Sequence, residues 1–203
     1  MAETLATVHL HPIVRTWFER RFGEPTAAQA QGWPAVASGR HTLIAAPTGS
    51  GKTLAAFLTG IDELVRLGLD DGELTDATRV LYVSPLKALA TDVQRNLLTP
   101  IEEMGLSLRV ETRSGDTPSD RKARQRTRPP HILLTTPESL SLLLSYPDSD
   151  RLFATLKTVV IDEVHSFATQ KRGDLLSLSL ARLQRLAPAM RRVALSATVA
   201  DPD

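Results

Sequence analysis

Ala46-Pro47-Thr48-Gly49-Ser50-Gly51-Lys52-Thr53 reads as a phosphate-binding loop. Glycines let a backbone wrap an anion, and the N–H groups of the loop and of a following helix point at it. Lys52 adds a point charge for β- and γ-phosphates, and the Thr53 hydroxyl suits Mg²⁺. The general pattern opens with Gly. Ala46 stands there instead, while Gly49 and Gly51 keep the turn possible. A chance Gly-Lys-Thr in a surface turn would lack the flanks present here. Residues 41–45 read as a short buried strand and residues 54–58 as a helix start. Strand, loop and helix are the context the motif requires. Thr48, Gly49, Ser50, Gly51, Lys52 and Thr53 are therefore the expected nucleotide-binding set.

Short apolar runs rich in β-branched residues recur along the chain, at 43–45, 80–83, 108–111, 132–135, 159–161 and 193–195. Apolar on both faces, they predict a parallel sheet covered on both sides. Between them Leu86, Leu89, Ala90, Val93 and Leu97 recur at helical spacing. Leu175, Leu176, Leu178, Leu180, Leu183 and Leu186 predict a second, more buried helix. The alternation implies an α/β, doubly wound, mostly parallel sheet. Ligands of such sheets bind beyond the carboxyl ends of the strands. The phosphate loop, Ser84-Pro85, Thr136-Pro137, Asp162-Glu163 and Ser196-Ala197-Thr198 each follow a predicted strand, so five polar stations share one edge.

Asp162-Glu163 closes an apolar strand. Asp162 is the expected holder of the metal shell, and Glu163 the group that orients and polarises the attacking water. Adjacent carboxylates also favour ordinary helix starts, but the earlier phosphate loop makes the catalytic pairing the stronger reading. Lys52, Asp162 and Glu163 are thus the expected catalytic set, with Thr53 and Asp162 as metal ligands. His165 is expected to sense the γ-phosphate or to pass its presence to Ser196 and Thr198. The competing reading is a half-buried histidine under a neighbouring loop.

A chain of 203 residues buries one good core, so residues 1–203 are expected to form a single domain with residues 1–22 as an N-terminal helical extension. Its 42% hydrophobic and 23% charged residues are those of a globular protein. A net charge of +1 gives no global basic field, so a nucleic-acid surface must be local. Without cysteine there are no disulfides and no thiolate metal sites. No signal pattern and no spanning apolar run is present, so a cytoplasmic location without a membrane partner is expected. The end at Asp203, just after the last polar station, reads as a cut through a larger protein.

The set of residues 46–53, Asp162-Glu163-Val164-His165 and Ser196-Ala197-Thr198 resembles motifs I, II and III of superfamily 2 helicases. Ala at position 46 is usual in that superfamily. Pro25-Thr26-Ala27-Ala28-Gln29 resembles its adenine-reading Q motif, where the Gln29 side chain can both donate and accept on one base edge. Tyr82-Val83-Ser84-Pro85-Leu86-Lys87-Ala88-Leu89-Ala90, Glu111-Thr112-Arg113-Ser114-Gly115-Asp116-Thr117 and Leu134-Thr135-Thr136-Pro137-Glu138-Ser139-Leu140 are similar to the Lhr (large helicase-related) family. Leu144-Ser145-Tyr146-Pro147-Asp148 and Lys171-Arg172-Gly173-Asp174-Leu175 are similar to its shorter bacterial form, the ligase-associated DEXH-box helicase. The resemblance runs from about Phe22 to the end of the chain.

That resemblance implies a RecA-like first lobe of an ATP- and Mg²⁺-dependent motor that moves 3′→5′ on single-stranded DNA in DNA repair. It implies that Lys87, Arg113, Ser114, Gly115, Thr136, Pro137 and Glu138 face the strand. The contacts would be to the sugar–phosphate backbone, which leaves RNA open as the track. Ser84-Pro85 and Thr136-Pro137 also serve plain strand termination and helix capping. Such motors need a second lobe that supplies arginine fingers, worth several orders of magnitude in rate in related nucleotide hydrolases. The chain alone is therefore expected to bind nucleotide weakly, to turn over very slowly and not to unwind DNA.

Other readings carry less. A P-loop kinase would need an acceptor site and a lid, and the chain has neither. A non-catalytic lobe that recruits DNA would bind it with no nucleotide effect. Arg121, Lys122, Arg124, Arg126 and Arg128 read as a solvated helix face. His9 and His11 lie too near a free end to make a metal site. Trp17, Phe18, Phe22 and Trp33 read as core and pocket packing, with Phe22 or Trp33 bordering the adenine.

Overall fold

The computed structural model describes residues 10–70, 74–85, 93, 97–168 and 170–197. Its centre is a six-stranded, all-parallel sheet in the order β1-β6-β5-β2-β4-β3. The strands are β1 (Thr42–Ala45), β2 (Val80–Val83), β3 (Val110–Arg113), β4 (Ile132–Thr135), β5 (Thr158–Ile161) and β6 (Arg191–Ser196). Val80–Val83, Ile132–Thr135 and Thr158–Ile161 are buried at every position. They have no polar face because helices cover both sides of the sheet.

On one face lie α1 (Pro12–Phe22), α2 (Ala27–Ala37), α3 (Lys52–Asp70) and the helical residues 97–103, here α4. Trp33 and Phe57 pack there against Tyr82, Leu134, Val160 and Val193 of four adjacent strands. α1 joins this core through Val14, Trp17 and Phe18, so the described residues 10–22 are part of the packing. On the other face α6 (Pro137–Ser145), α7 (Ser149–Phe153) and α8 (Lys171–Leu186) cover Leu81, Val83, Leu133, Val159 and Ile161. α5 (Ser119–Thr127) follows β3.

Three expectations need correction. β1 is an edge strand, and Leu43 is 63% exposed, so the strand before the phosphate loop is not buried on both faces. β3 begins two residues later than expected. Leu106 and Leu108 pack against the core before the ladder starts, whereas pairing begins at Val110 opposite Ile132. Hydrophobicity marked burial there, not hydrogen bonding. α8 is amphipathic rather than buried all round: Leu176, Leu180 and Leu183 face the core, while Leu178 is 67% exposed. Residues 86 and 89–90 of the helix expected over residues 86–97 lie outside the described residues. No described helix is long and apolar enough to cross a membrane.

Because every strand runs the same way, the segments that follow them emerge on one edge. That is the physical reason distant polar stations converge.

Candidate active site

The phosphate loop leaves β1 and turns directly into α3, which starts at Lys52. Gly49 and Gly51 hold φ of 81° and 80°, values that a Cβ disfavours. At Gly51 space is also denied: an added Cβ would stand 2.5 Å from Gln29 Nε2. Lys52 is buried, and its Nζ donates to the Ala46 carbonyl at 3.3 Å. The Ser50 hydroxyl is buried with no partner among the described residues, although a buried hydroxyl normally finds one.

Thr26 and Gln29 form a capping box at the start of α2. The Thr26 N–H donates to Gln29 Oε1 at 2.9 Å, and the Thr26 hydroxyl donates to the Ser50 carbonyl at 2.7 Å. The segment expected to read adenine is therefore braced against the phosphate loop. Gln29 is only 4% exposed, and its carbonyl oxygen is already engaged by that cap.

Asp162 and Glu163 follow β5, and β6 lies between them and the phosphate loop. Asp162 is buried, with both oxygens fixed. The Glu163 N–H donates to Oδ1 at 3.0 Å, and the Tyr82 hydroxyl donates to Oδ2. Burial, then the Asp162 charge, hold the Tyr82 phenol far above its usual pKa, so it remains a donor at neutral pH. Sequence reasoning missed Tyr82. Its signal was a hydroxyl in an otherwise aliphatic central strand, where a buried phenol needs a partner. Register supplies it: Tyr82 pairs with Val160, two residues before Asp162.

Glu163 has φ 47° and ψ 46°, the only non-glycine positive φ among the described residues. A left-handed carboxylate residue stores strain, which structures retain where the geometry is constrained. Its Oε2 lies 3.1 Å from His165 Nε2, and His165 Nδ1 lies 3.0 Å from the Ser196 hydroxyl. The Ser196 carbonyl accepts from the Ala46 N–H at 3.2 Å. His165 thus links Glu163 to Ser196. Thr198 lies outside the described residues.

These parts line one cleft of about 620 Å³, which includes Gln29, Thr48, Gly49, Gly51, Lys52, Thr53, Asp162 and Glu163. Phe22, 52% exposed, is on its wall; Trp33 is fully buried beneath Phe18 and does not border it. Trp17, Arg21, Leu97 and Pro100 also stand on the wall. Sequence reasoning did not assign Arg21, Leu97 or Pro100 to the cleft, since only packing brings α1 and α4 to it.

A second groove of about 680 Å³ opens on the same edge of the sheet. Gly115, Thr136 and Glu138 line it, joined by Pro85, Ser139, Leu142 and the unexpected Arg172. Thr136 caps α6, and Pro137 is buried at the first turn. Ser114 is held in a turn by its N–H to the Thr117 hydroxyl at 2.9 Å. Arg113 must be corrected. It is 1% exposed, and its guanidinium donates inward to the Lys122 carbonyl at 2.9 Å and to Gln125 Oε1. As a core residue joining β3 to α5 it cannot face a strand. Lys87 lies outside the described residues. The α5 arginines behave as a surface: Arg121 and Arg124 pair with Glu111, Arg126 with Asp148 and Arg128 with Asp76.

A model of the family described as DEAD/DEAH box helicase matches residues 26–203. The chain is 48% identical over 199 residues to the ATP-dependent helicase Lhr-Core of Methanothermobacter thermautotrophicus, covering 94% of this chain and 23% of that protein. It is 49% identical to the Lhr helicase/probable uracil glycosylase of Mycolicibacterium smegmatis, covering 94% of this chain and 13% of that protein. The solved structure of Mycobacterium smegmatis helicase Lhr bound to ssDNA and AMP-PNP superposes with a TM-score of 0.83 at 46% identity, over 95% of this chain and 25% of that one. The chain therefore spans a quarter or less of the length of these three relatives. The parallel sheet, the phosphate loop and the Asp162–Glu163 turn are those of a RecA-like helicase domain, and this chain, similar to Lhr helicases along most of its length, belongs to the DEAD/DEAH box helicase family.

Proposed function

We propose that this chain is the ATP-binding lobe of an ATP-dependent helicase or translocase that moves 3′→5′ on single-stranded DNA in DNA repair, in the cytoplasm. The observation that carries the reading is the convergence of Lys52, Asp162 and Glu163 on one cleft, beside a groove on the same sheet edge. DNA as the track is supported by the ssDNA-bound Lhr relative. Polarity and a repair role rest on the likeness to Lhr helicases.

The roles follow from the geometry. Backbone N–H groups at the start of α3 and the unpartnered Ser50 hydroxyl bind phosphate oxygens, and Lys52 neutralises them. Phe22 packs against the base, and the Gln29 amide contacts its edge. The donor set of Thr53 hydroxyl and Asp162 carboxylate is all oxygen, which fits a hard divalent cation. Mg²⁺ held there would neutralise charge on the β- and γ-phosphate oxygens. Tyr82 and the Glu163 N–H keep the Asp162 carboxylate aimed. Glu163 accepts a hydrogen bond from the attacking water and orients it in line. His165 and Ser196 pass the state of the cleft to β6 and, with Thr198, to the second lobe. Ser114, Gly115 and Thr136 hold the strand backbone through N–H and hydroxyl groups, Pro137 fixes the turn into α6, and Lys87 is a further strand contact by likeness to the family alone.

The test compares the full-length protein with residues 1–203 alone. The full-length protein should show DNA-stimulated ATP hydrolysis and strand displacement. The lone lobe should bind an ATP analogue weakly and displace nothing, because it lacks a second lobe's arginines. Robust DNA-stimulated turnover by the lone lobe contradicts the half-enzyme reading.

Tyr82→Phe deletes one oxygen and keeps the packing against Phe57, whose ring centroid is 5.1 Å away. The Mg²⁺ concentration that half-saturates binding of a fluorescent ATP analogue should rise about tenfold, as for other groups that orient a metal ligand. Binding at saturating Mg²⁺ should change little. An unchanged Mg²⁺ titration removes Tyr82 from the role.

A further inference from the structure

Among the described residues lining the second groove there is one cation, Arg172, and one anion, Glu138. They are locked together: Arg172 Nε donates to Glu138 Oε1 at 2.5 Å, and the second nitrogen to Oε2 at 3.1 Å. A fixed carboxylate is out of place in a groove for a polyanion, since like charges facing across an interface are costly. A brace between helices does not account for it. α6 and α8 already pack through buried Leu140, Leu143 and Leu144 against Leu176, Leu180 and Leu183. The Arg182 guanidinium also donates to the Leu144 carbonyl.

We propose that Arg172 is a phosphate ligand for the nucleic-acid strand and that Glu138 is its built-in competitor, an internal anion that a strand phosphate displaces. This rests on reading the groove as the strand site, and it reassigns Glu138 from strand contact to gate. The exchange is cheap, because both side chains are partly exposed (35% and 51%) and water and salt screen such pairs. The gain is a planar, two-pronged contact that a guanidinium makes with phosphate as readily as with carboxylate. Arg172 holds the Glu138 carboxyl below its usual pKa, so the competitor is charged at any physiological pH. The device lets a short or badly placed strand lose to Glu138, while a correctly seated phosphate wins.

The experiment measures binding of fluorescein-labelled oligo-dT to the full-length protein across a range of salt. Arg172→Ala should weaken binding about tenfold and reduce the slope of log affinity against log salt by about 0.7, the loss of one single-strand phosphate contact. Glu138→Gln should tighten binding about twofold to fivefold, by freeing Arg172. The gain should vanish in the Glu138→Gln/Arg172→Ala double variant. An equal gain with or without Arg172 means that Glu138 merely repels the strand, and overturns the proposal. So does an Arg172→Ala variant with unchanged affinity and slope. Gly115→Asp separates the two failures. If it leaves binding intact, the groove is not the strand site; if it abolishes binding while Arg172→Ala does nothing, only the role of Arg172 falls. Melting temperatures of all variants exclude unfolding as the cause.

Discussion

Glu163→Gln in the full-length protein is expected to lower ATP turnover about a hundredfold or more while nucleotide binding stays near wild type, the range typical of losing a general base. The substitution keeps size and shape. Gln can still meet His165 Nε2, and it leaves Lys52, the phosphate loop and the Asp162 carboxylate untouched. It removes only the negative charge. The left-handed backbone at residue 163 argues that the position of this carboxylate matters, because a relaxed helix start would not need φ of 47°. Steady-state ATPase and analogue binding on the same preparation check the result. Turnover within fivefold of wild type would move the water-activating role away from Glu163.

Gly173→Ala is expected to destabilise the protein by about 1–3 kcal/mol, the usual range for forced overpacking. Propensity alone points the other way, since Ala in a helix is worth about 1 kcal/mol over Gly. The deciding fact is a contact. A Cβ at residue 173 would stand 2.1 Å from the Phe167 carbonyl oxygen, a backbone atom, and the position of a Cβ is itself fixed by the backbone. No side chain can rotate away, so either the first turn of α8 or the 3₁₀ helix Val164–Phe167 must move. The 3₁₀ helix carries His165, and the α8 turn carries Arg172, so the damage should reach both cleft and groove. A fall in melting temperature of about 4–8 °C, the scale for a few kcal/mol in a chain of this size, is the readout. An unchanged or raised melting temperature would mean that the two segments separate freely.

Much of the architecture was legible because local patterns and the global fold agree. Val80–Val83, Ile132–Thr135 and Thr158–Ile161 could be read as central strands since no charged residue interrupts them. The phosphate loop and Asp162-Glu163 could be read because their chemistry demands particular residues at particular spacings. Where burial and pairing part company, the reading slipped. Leu108 looked like strand but packs ahead of the ladder, and Leu43 looked buried but lies on an edge. Arg113 sat in a stretch similar to a strand-facing motif, yet Gln125 and the Lys122 carbonyl draw it inward. Those partners are 9 and 12 residues away, and no periodicity announces them.

By itself the sequence determined the fold class, the order of strand and helix, and where the phosphate-loop motif lies. These depend on hydrophobic period and on short-range motif chemistry, both properties of contiguous residues. Tertiary structure alone decided that Tyr82 holds Asp162, that His165 spans Glu163 and Ser196, and that Arg172 closes on Glu138. Each is a meeting between side chains from different elements, 80 residues apart for Tyr82 and Asp162 and 34 for Arg172 and Glu138. Sheet register and helix docking bring them together, and neither is written in any local stretch of the chain.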